Sequence, residues 1–340
     1  MGFQSGKMVT IAPHRRQCWL TLAAANSCCL LAMMLLAGAA TAAHTEQPRT
    51  ASAEQTDGRM QRVGVSGDGK SFVLLDSKQR FIPWGFNYDH DERGRLLEDY
   101  WDAEWDKVVR DFRQMKQLGA NVVRIHLQTA KFMRSPDQPD QTALRQLARL
   151  LALAEETRLY LDITGLGCYH KKDVPAWYDQ MDEPRRWAVQ CRFWEAVAKC
   201  CADSPAVFCY DLMNEPVVPG GRRKPGQWLG PDFAGKHFVQ FITLDQADRP
   251  RHQIARQWTA TLAAAIRRHD RRTMITVGLV DWSLDRPGLT SGFVPEKVAP
   301  ELDFLSVHIY PEKGKLHQAL ETLSGFCVGK PVLIEETFPL

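Results

Sequence analysis

From residue 81 onward the chain alternates short apolar runs with longer stretches in which apolar side chains recur every three or four positions. Runs of this length, rich in β-branched and aromatic residues, read as strands buried on both faces, and the 3.6-residue period between them reads as amphipathic helix. Such alternation predicts βαβ units and a parallel sheet. Seven strands are expected, at 81–87, 121–127, 159–165, 207–213, 274–279, 304–310 and 331–336. Trp101, Trp105, Val108, Phe112 and Met115 mark one face of a first helix, ended by Gly119. Leu144, Leu147, Leu151 and Ala154 mark a second, Trp187, Cys191, Trp194 and Ala198 a third, and Ile254, Trp258, Leu262 and Ile266 a fourth.

The fold class this implies is α/β, a (β/α)8 TIM barrel cut short before its eighth strand. A closed barrel needs one more strand and helix, about 30 residues, whereas the sequence reaches Leu340 just past the seventh strand. The first and seventh strands are therefore expected to expose an edge each. Apolar runs at 63–65 and 71–76 flank Ser66-Gly67-Asp68-Gly69-Lys70, the signature of a short N-terminal β-hairpin expected to cap one end of the barrel. The Gly- and Pro-rich segment 217–249 is a loop long enough to carry function.

Ahead of the barrel domain, taken as 63–340, two segments have a different pattern. Residues 1–43 run from His14-Arg15-Arg16 through an apolar centre at 20–36 to the small residues before Ala43, the layout of a secretory signal peptide. An uncleaved membrane anchor is the alternative. Residues 44–62 are polar and non-periodic and are expected to be a disordered linker. The expected location is thus outside the cytoplasm, secreted or periplasmic.

With 340 residues, 44% of them hydrophobic, the chain can bury a large core. Lys7, Arg15 and Arg16, in a leader without acids, account for the formal net charge of +3. A neutral body argues against nucleic acid or an anionic membrane as partner, and a monomer is expected. Cys18, Cys28 and Cys29 fall in the leader. The other six of the nine cysteines show neither metal-site spacing nor a disulfide scaffold, although export would permit disulfides. Cys209 and Cys191 are expected simply to pack. There is no phosphate loop, dinucleotide fingerprint or His-Glu-x-x-His motif, so neither metal nor organic cofactor is expected.

The candidate chemistry sits at strand exits. Glu215 follows Asn214 where the fourth strand breaks at Pro216, His308 and Tyr310 lie at the end of the sixth, and Glu335-Glu336 closes the seventh. In a parallel barrel these ends share the face where chemistry is done. Two carboxylates about 5 Å apart suit a retaining glycosidase, in which one acid protonates the leaving oxygen and the other attacks the sugar. The acid must keep its proton near neutral pH, which a second carboxylate nearby favours by like-charge repulsion. His126 and Asn87, also at strand ends, suit either cleft lining or support. Trp282, in an apparent strand-to-helix loop, is the first choice for a ring stacking on a pyranose face. Glu335 is expected to point away from Glu336, because strand neighbours face opposite sides.

Arg124 in Asn-Val-Val-Arg-Ile-His-Leu, Asn214-Glu215-Pro216, His308-x-Tyr310 and Lys330-Pro331-Val332-Leu333-Ile334-Glu335-Glu336, in that order, resemble the family-5 glycoside hydrolases, the cellulase and mannanase family. The resemblance covers about residues 63–338. It implies a (β/α)8 barrel acting on a neutral oligo- or polysaccharide, with Glu215 as acid/base and Glu336 as nucleophile. It further implies that Asn214 holds the sugar 2-hydroxyl, that Arg124 and Tyr310 bond the nucleophile, and that His308 lines the cleft. Two departures stand out: Thr164 occupies the place of a histidine two residues after Asp162, and no eighth strand with its stacking tryptophan is visible. The same residues also suit a glycan-binding barrel without catalysis, or a transglycosylase.

Overall fold

A computed structural model describes residues 59–338. The expected signal peptide, and the expected linker up to residue 58, lie outside the described residues.

Three short strands, β1 (Val63–Val65), β2 (Phe72–Leu74) and β3 (Arg80–Phe81), form an antiparallel sheet. The predicted hairpin is its first two strands. The expected first barrel strand divides in two: Arg80–Phe81 joins the hairpin, and only β4 (Gly85–Asn87) enters the barrel. Pro83, which has no N–H to donate, separates the pieces.

The barrel continues with β5 (Val122–Gln128), followed by a small ribbon of β6 (Met133–Ser135) and β7 (Gln138–Pro139), and then β8 (Tyr160–Gly167) and β9 (Val207–Asn214). A parallel pair, β10 (Pro216–Val217) and β11 (Gln240–Phe241), folds segment 217–249 back beside the exit of β9. The last barrel strands are β12 (Met274–Val280), β13 (Leu305–His308) and β14 (Val332–Glu336). Seven parallel strands in the order β14-β13-β12-β9-β8-β5-β4 make a nearly closed barrel, a (β/α)8 barrel lacking one strand. The free edges of β4 and β14 border a slot of about 280 Å³ lined by residues that include Trp84, Phe86, Leu333 and Ile334. Asn87 spans it, its Nδ2 donating to the Glu335 carbonyl at 3.1 Å.

The helices Gln141–Thr157, Glu183–Cys201 and Arg251–Arg267 bury the predicted apolar faces against the sheet. Asp140 and Asp182 start the first two by accepting backbone N–H groups of the first turn. The expected helix through Trp101 and Met115 is interrupted: Trp101 stays buried in a turn, and the long helix is Trp105–Gln117.

Two layers fill the barrel axis. Below the N-terminal strand ends, Val63, Phe72 and Phe81 of the hairpin sheet pack on Val122, Tyr160, Phe208, Met274 and Phe304, so the hairpin caps that end as expected. Toward the C-terminal ends, the buried side chains include Arg124, Asp162, Asp211 and His308. The pairing shifts by one residue near the ends of β5–β8, β9–β12 and β13–β14. Such bulges turn side chains to a new face.

Candidate active site

Glu215 leaves β9 with φ of 47°, a left-handed conformation that costs a non-glycine residue on the order of 1–3 kcal/mol. It is held there by its own N–H donating to the Gly278 carbonyl at 3.0 Å and by the Gln240 N–H reaching its carbonyl at 3.3 Å. The carboxylate is thereby turned into a cleft of about 490 Å³ that Glu336 also lines. Asn87, His126 and Tyr310 share the lining, with Asp89, His90 and the apolar walls Pro231, Phe233, Phe238, Val239 and Phe338.

Glu336 is clamped from two sides. Arg124 Nη1 donates to one carboxylate oxygen and the Tyr310 hydroxyl to the other. Burial alone would raise the Glu336 carboxyl, but the charges of His308 and Arg124 hold it below the usual carboxylate range. A carboxylate kept ionised and oriented in this way is poised to act as a nucleophile.

Beneath the floor the guanidinium of Arg124 organises the rest. Nη1 also donates to Asn87 Oδ1 at 3.0 Å, and Nη2 to Asp211 Oδ2 at 2.7 Å and Asn214 Oδ1 at 3.0 Å. Asp211 further accepts the Thr164 hydroxyl and the Gly278 N–H, both at 2.7 Å. Burial, then the nearby Glu335, pushes the Asp211 carboxyl up. Thr164, which stands where the family pattern has a histidine, is thus part of the support for Arg124. His126 bonds the Tyr169 hydroxyl through Nδ1, and its Nε2 has no hydrogen-bond partner among the described residues. Burial and Arg124 push its pKa down to about 3, so a neutral ring faces the cleft.

His308 lies between two acids, Nδ1 at 3.0 Å from Glu215 Oε1 and Nε2 at 3.0 Å from Glu335 Oε2. Burial would lower its pKa, but Glu336 and the bonds to Glu215 and Glu335 raise it to about 10, so the ring is an imidazolium. The oxygens of Glu215 and Glu336 and the ring nitrogen of His308 lie within 4.8 Å of one another. Two carboxylates and an imidazole are also a set of metal-ligand type, but here each already bonds Arg124, Tyr310 or another member. The two carboxylates are thus bridged by the His308 ring, whose Nδ1 lies 3.0 Å from Glu215 Oε1 and 3.5 Å from Glu336 Oε1.

Two expectations need correcting. Glu335 does not point away: its side chain is 1% exposed and turned into the barrel. Val307 pairs with Ile334 but His308 pairs with Glu336, which makes Glu335 the extra residue of a bulge that resets the alternation. Trp282 is not among the residues that line the cleft; it sits half-buried in the short turn Asp281–Ser283 after β12, and phenylalanines form the aromatic walls instead. Arg124 and His308 reach the carboxylates from below, Asn214 bonds Arg124 and the Phe238 carbonyl, and none of the three lines the cleft itself.

Sequence reasoning also missed Asp211 and Gly278. A Cβ on Gly278 would stand 2.9 Å from His308 Nε2 and 3.1 Å from Arg124 Nη2 and Glu335 Oε2, so only glycine lets the three meet. A signal for Asp211 existed: Arg124, Asp162 and Asp211 are charged residues inside otherwise apolar strands.

A nearly closed parallel barrel with a carboxylate pair over one cleft at its C-terminal face defines an enzyme-like (β/α) barrel. The profile of Cellulase (glycosyl hydrolase family 5) matches residues 94–330, and the chain belongs to that family. A search of curated proteins found no match. Among solved structures, an exo-beta-1,4-mannosidase from Opitutaceae bacterium strain TAV5 superposes with a TM-score of 0.60 at 20% identity, covering 80% of this chain and 48% of its own. The chain therefore spans about half of that protein. A beta-1,4-mannanase from the sea hare Aplysia kurodai gives 0.58 at 18% identity over 82% and 84%, and a beta-mannanase from the blue mussel Mytilus edulis 0.56 at 18% over 81% and 82%. At these identities the likeness is one of fold.

Proposed function

We propose that the protein is a secreted, retaining glycoside hydrolase that cleaves neutral β-linked glycans through a covalent glycosyl-enzyme intermediate. The observation that carries the reading is the approach of Glu215 and Glu336, oxygens within 4.8 Å, over one cleft. Retaining enzymes hold their carboxyls about 5–5.5 Å apart, whereas inverting enzymes leave about 6.5–9.5 Å for a water.

In the first step a Glu336 oxygen forms a bond to the anomeric carbon as the bond to the leaving oxygen breaks, and Glu215 gives that oxygen its proton. In the second, Glu215 takes a proton from water, the water oxygen bonds the anomeric carbon, and Glu336 leaves as carboxylate. Arg124 and Tyr310 steady the charge on Glu336 throughout, and Asn87, which lines the cleft beside His126, offers hydrogen bonds to sugar hydroxyls. Export is supported by the pattern of residues 1–43; no helix among the described residues is long and apolar enough to cross a membrane.

Because the solved neighbours are mannosidases and mannanases by name, β-1,4-mannosides head the panel to try, followed by β-glucosides. The test is a 2-deoxy-2-fluoroglycoside with a good leaving group: it should inactivate the enzyme with a burst of released aglycone and label Glu336, read by peptide mass spectrometry. Oligosaccharide binding with neither label nor turnover would leave the glycan-binding barrel as the better account.

A further inference from the structure

Arg124, Asp162, Asp211, His308 and Glu335, from five different strands, meet below the catalytic pair, and Glu335 is among those without a role in the mechanism above. Glu335 is buried on the bulge of β14. Its Oε2 accepts from His308 Nε2 at 3.0 Å and lies 3.4 Å from Arg124 Nη2, and its Oε1 has no hydrogen-bond donor among the described protein groups outside the neighbouring acid Asp162. The opposite edge of the same imidazole touches Glu215, so the ring is a rigid spacer between Glu335 and the proposed acid.

We propose that Glu335 is a positioning residue that fixes the orientation and charge of His308 and, through it, the pH range over which Glu215 can donate its proton; this rests on the hydrolase reading above. An imidazole pinned at both nitrogens cannot flip, and a carboxylate on each side favours a proton on each nitrogen. The groups facing His308 are Glu215 from the exit of β9, Glu335 and Glu336 from β14 and Arg124 from β5, while β12 presents only Gly278. Asp162 stands behind Glu335, its carboxyl pushed up by burial and by that charge, so it keeps a proton to share with Glu335. Seen from Glu215, Glu335 and His308 form a pair with no net charge whose positive end is nearest. Removing the negative end weakens the ring's hold on its proton, although Glu336 and Glu215 still face it, and the near positive charge weakens with it.

Glu335→Gln keeps a hydrogen-bond acceptor but removes the charge. The alkaline limb of the kcat/KM profile, which reports loss of the acid's proton, should move up by about one pH unit. In a His308→Gln background the same substitution should move nothing further. An unmoved or lowered limb, or a shift that persists without His308, overturns the proposal. A purely structural role for Glu335 would lower yield or melting temperature without displacing the limb. If Glu335→Gln does not fold, the wild type decides: 15N NMR of the histidine rings, with His308 assigned from His308→Gln, should show both nitrogens protonated at pH 8, and a singly protonated ring at pH 7 overturns it. Glu215→Ala and Glu336→Ala, run beside these, test the hydrolase reading separately, since turnover retained in both would reject it whatever Glu335→Gln does.

Discussion

The two ends of the barrel are built from the same seven strands by opposite rules. At the N-terminal end Phe72 meets Phe208 and Phe304 edge-on, with ring centroids 5.3 and 5.0 Å apart, and burial of apolar area does the work. At the C-terminal end Arg124 faces Asp211, Glu335 and Glu336, and every contact is directional. Apolar packing needs only volume and proximity, and one register shift of the barrel, between β8 and β9 at Leu161 and Asp162, falls toward that end. Charged groups need their partners at set distances, and that end carries three of the register shifts, the left-handed backbone of Glu215 and the close approach at Gly278. The difference teaches that stability and chemistry are separable along the strand axis, with Arg124 as the residue where they join.

The largest effect expected is on activity. Glu336→Ala should lower kcat by at least about 10³-fold, with partial rescue by azide, while the melting temperature stays near wild type. Loss of folding along with activity would break the separation. Next come two substitutions of similar cost in urea denaturation. Phe72→Ala should destabilise by about 3–5 kcal/mol through the cavity it leaves, with kcat of the folded fraction unchanged. Arg124→Ala should cost about 3–5 kcal/mol by stranding buried carboxylates and should remove activity as well.

A smaller effect sharpens the contrast through pH. His308 titrates above its ordinary value, at about 10, so its contribution to stability is complete below its unfolded value and is lost as pH rises through the folded one. Stability of the wild type should therefore decline between about pH 7 and 10, and the slope should flatten in His308→Gln but not in Phe72→Ala. Smallest of all, Phe233→Ala on the cleft wall, where the ring is 74% exposed, should leave stability within about 0.5 kcal/mol. If the ring stacks on substrate, KM should rise roughly two- to tenfold, in line with the value of an aromatic contact; an unchanged KM would remove Phe233 from the binding surface.

Much of this was legible in the sequence. Six of the seven barrel strands fall within a few residues of where the apolar runs put them, and Glu215 and Glu336 stand at strand exits over one cleft. The first strand was misread because Phe81 and Phe86 look alike as apolar residues, and only Pro83 between them hints that they serve different sheets. Trp282 was misjudged because a loop position says nothing about which way the loop folds.

The sequence by itself determined the period, order and polarity of the elements, since helical and extended repeats are properties of a chain segment and its immediate neighbours. It also determined that acids would stand at the ends of the fourth and seventh strands. Only the tertiary structure decided that Glu335 turns inward beside His308, that Asp211 serves Arg124, and that Gly278 is small because three polar groups crowd it. Those facts depend on how one strand slides against the next, and register between strands is set by pairing across the sheet, where a shift of one residue exchanges the faces of everything that follows.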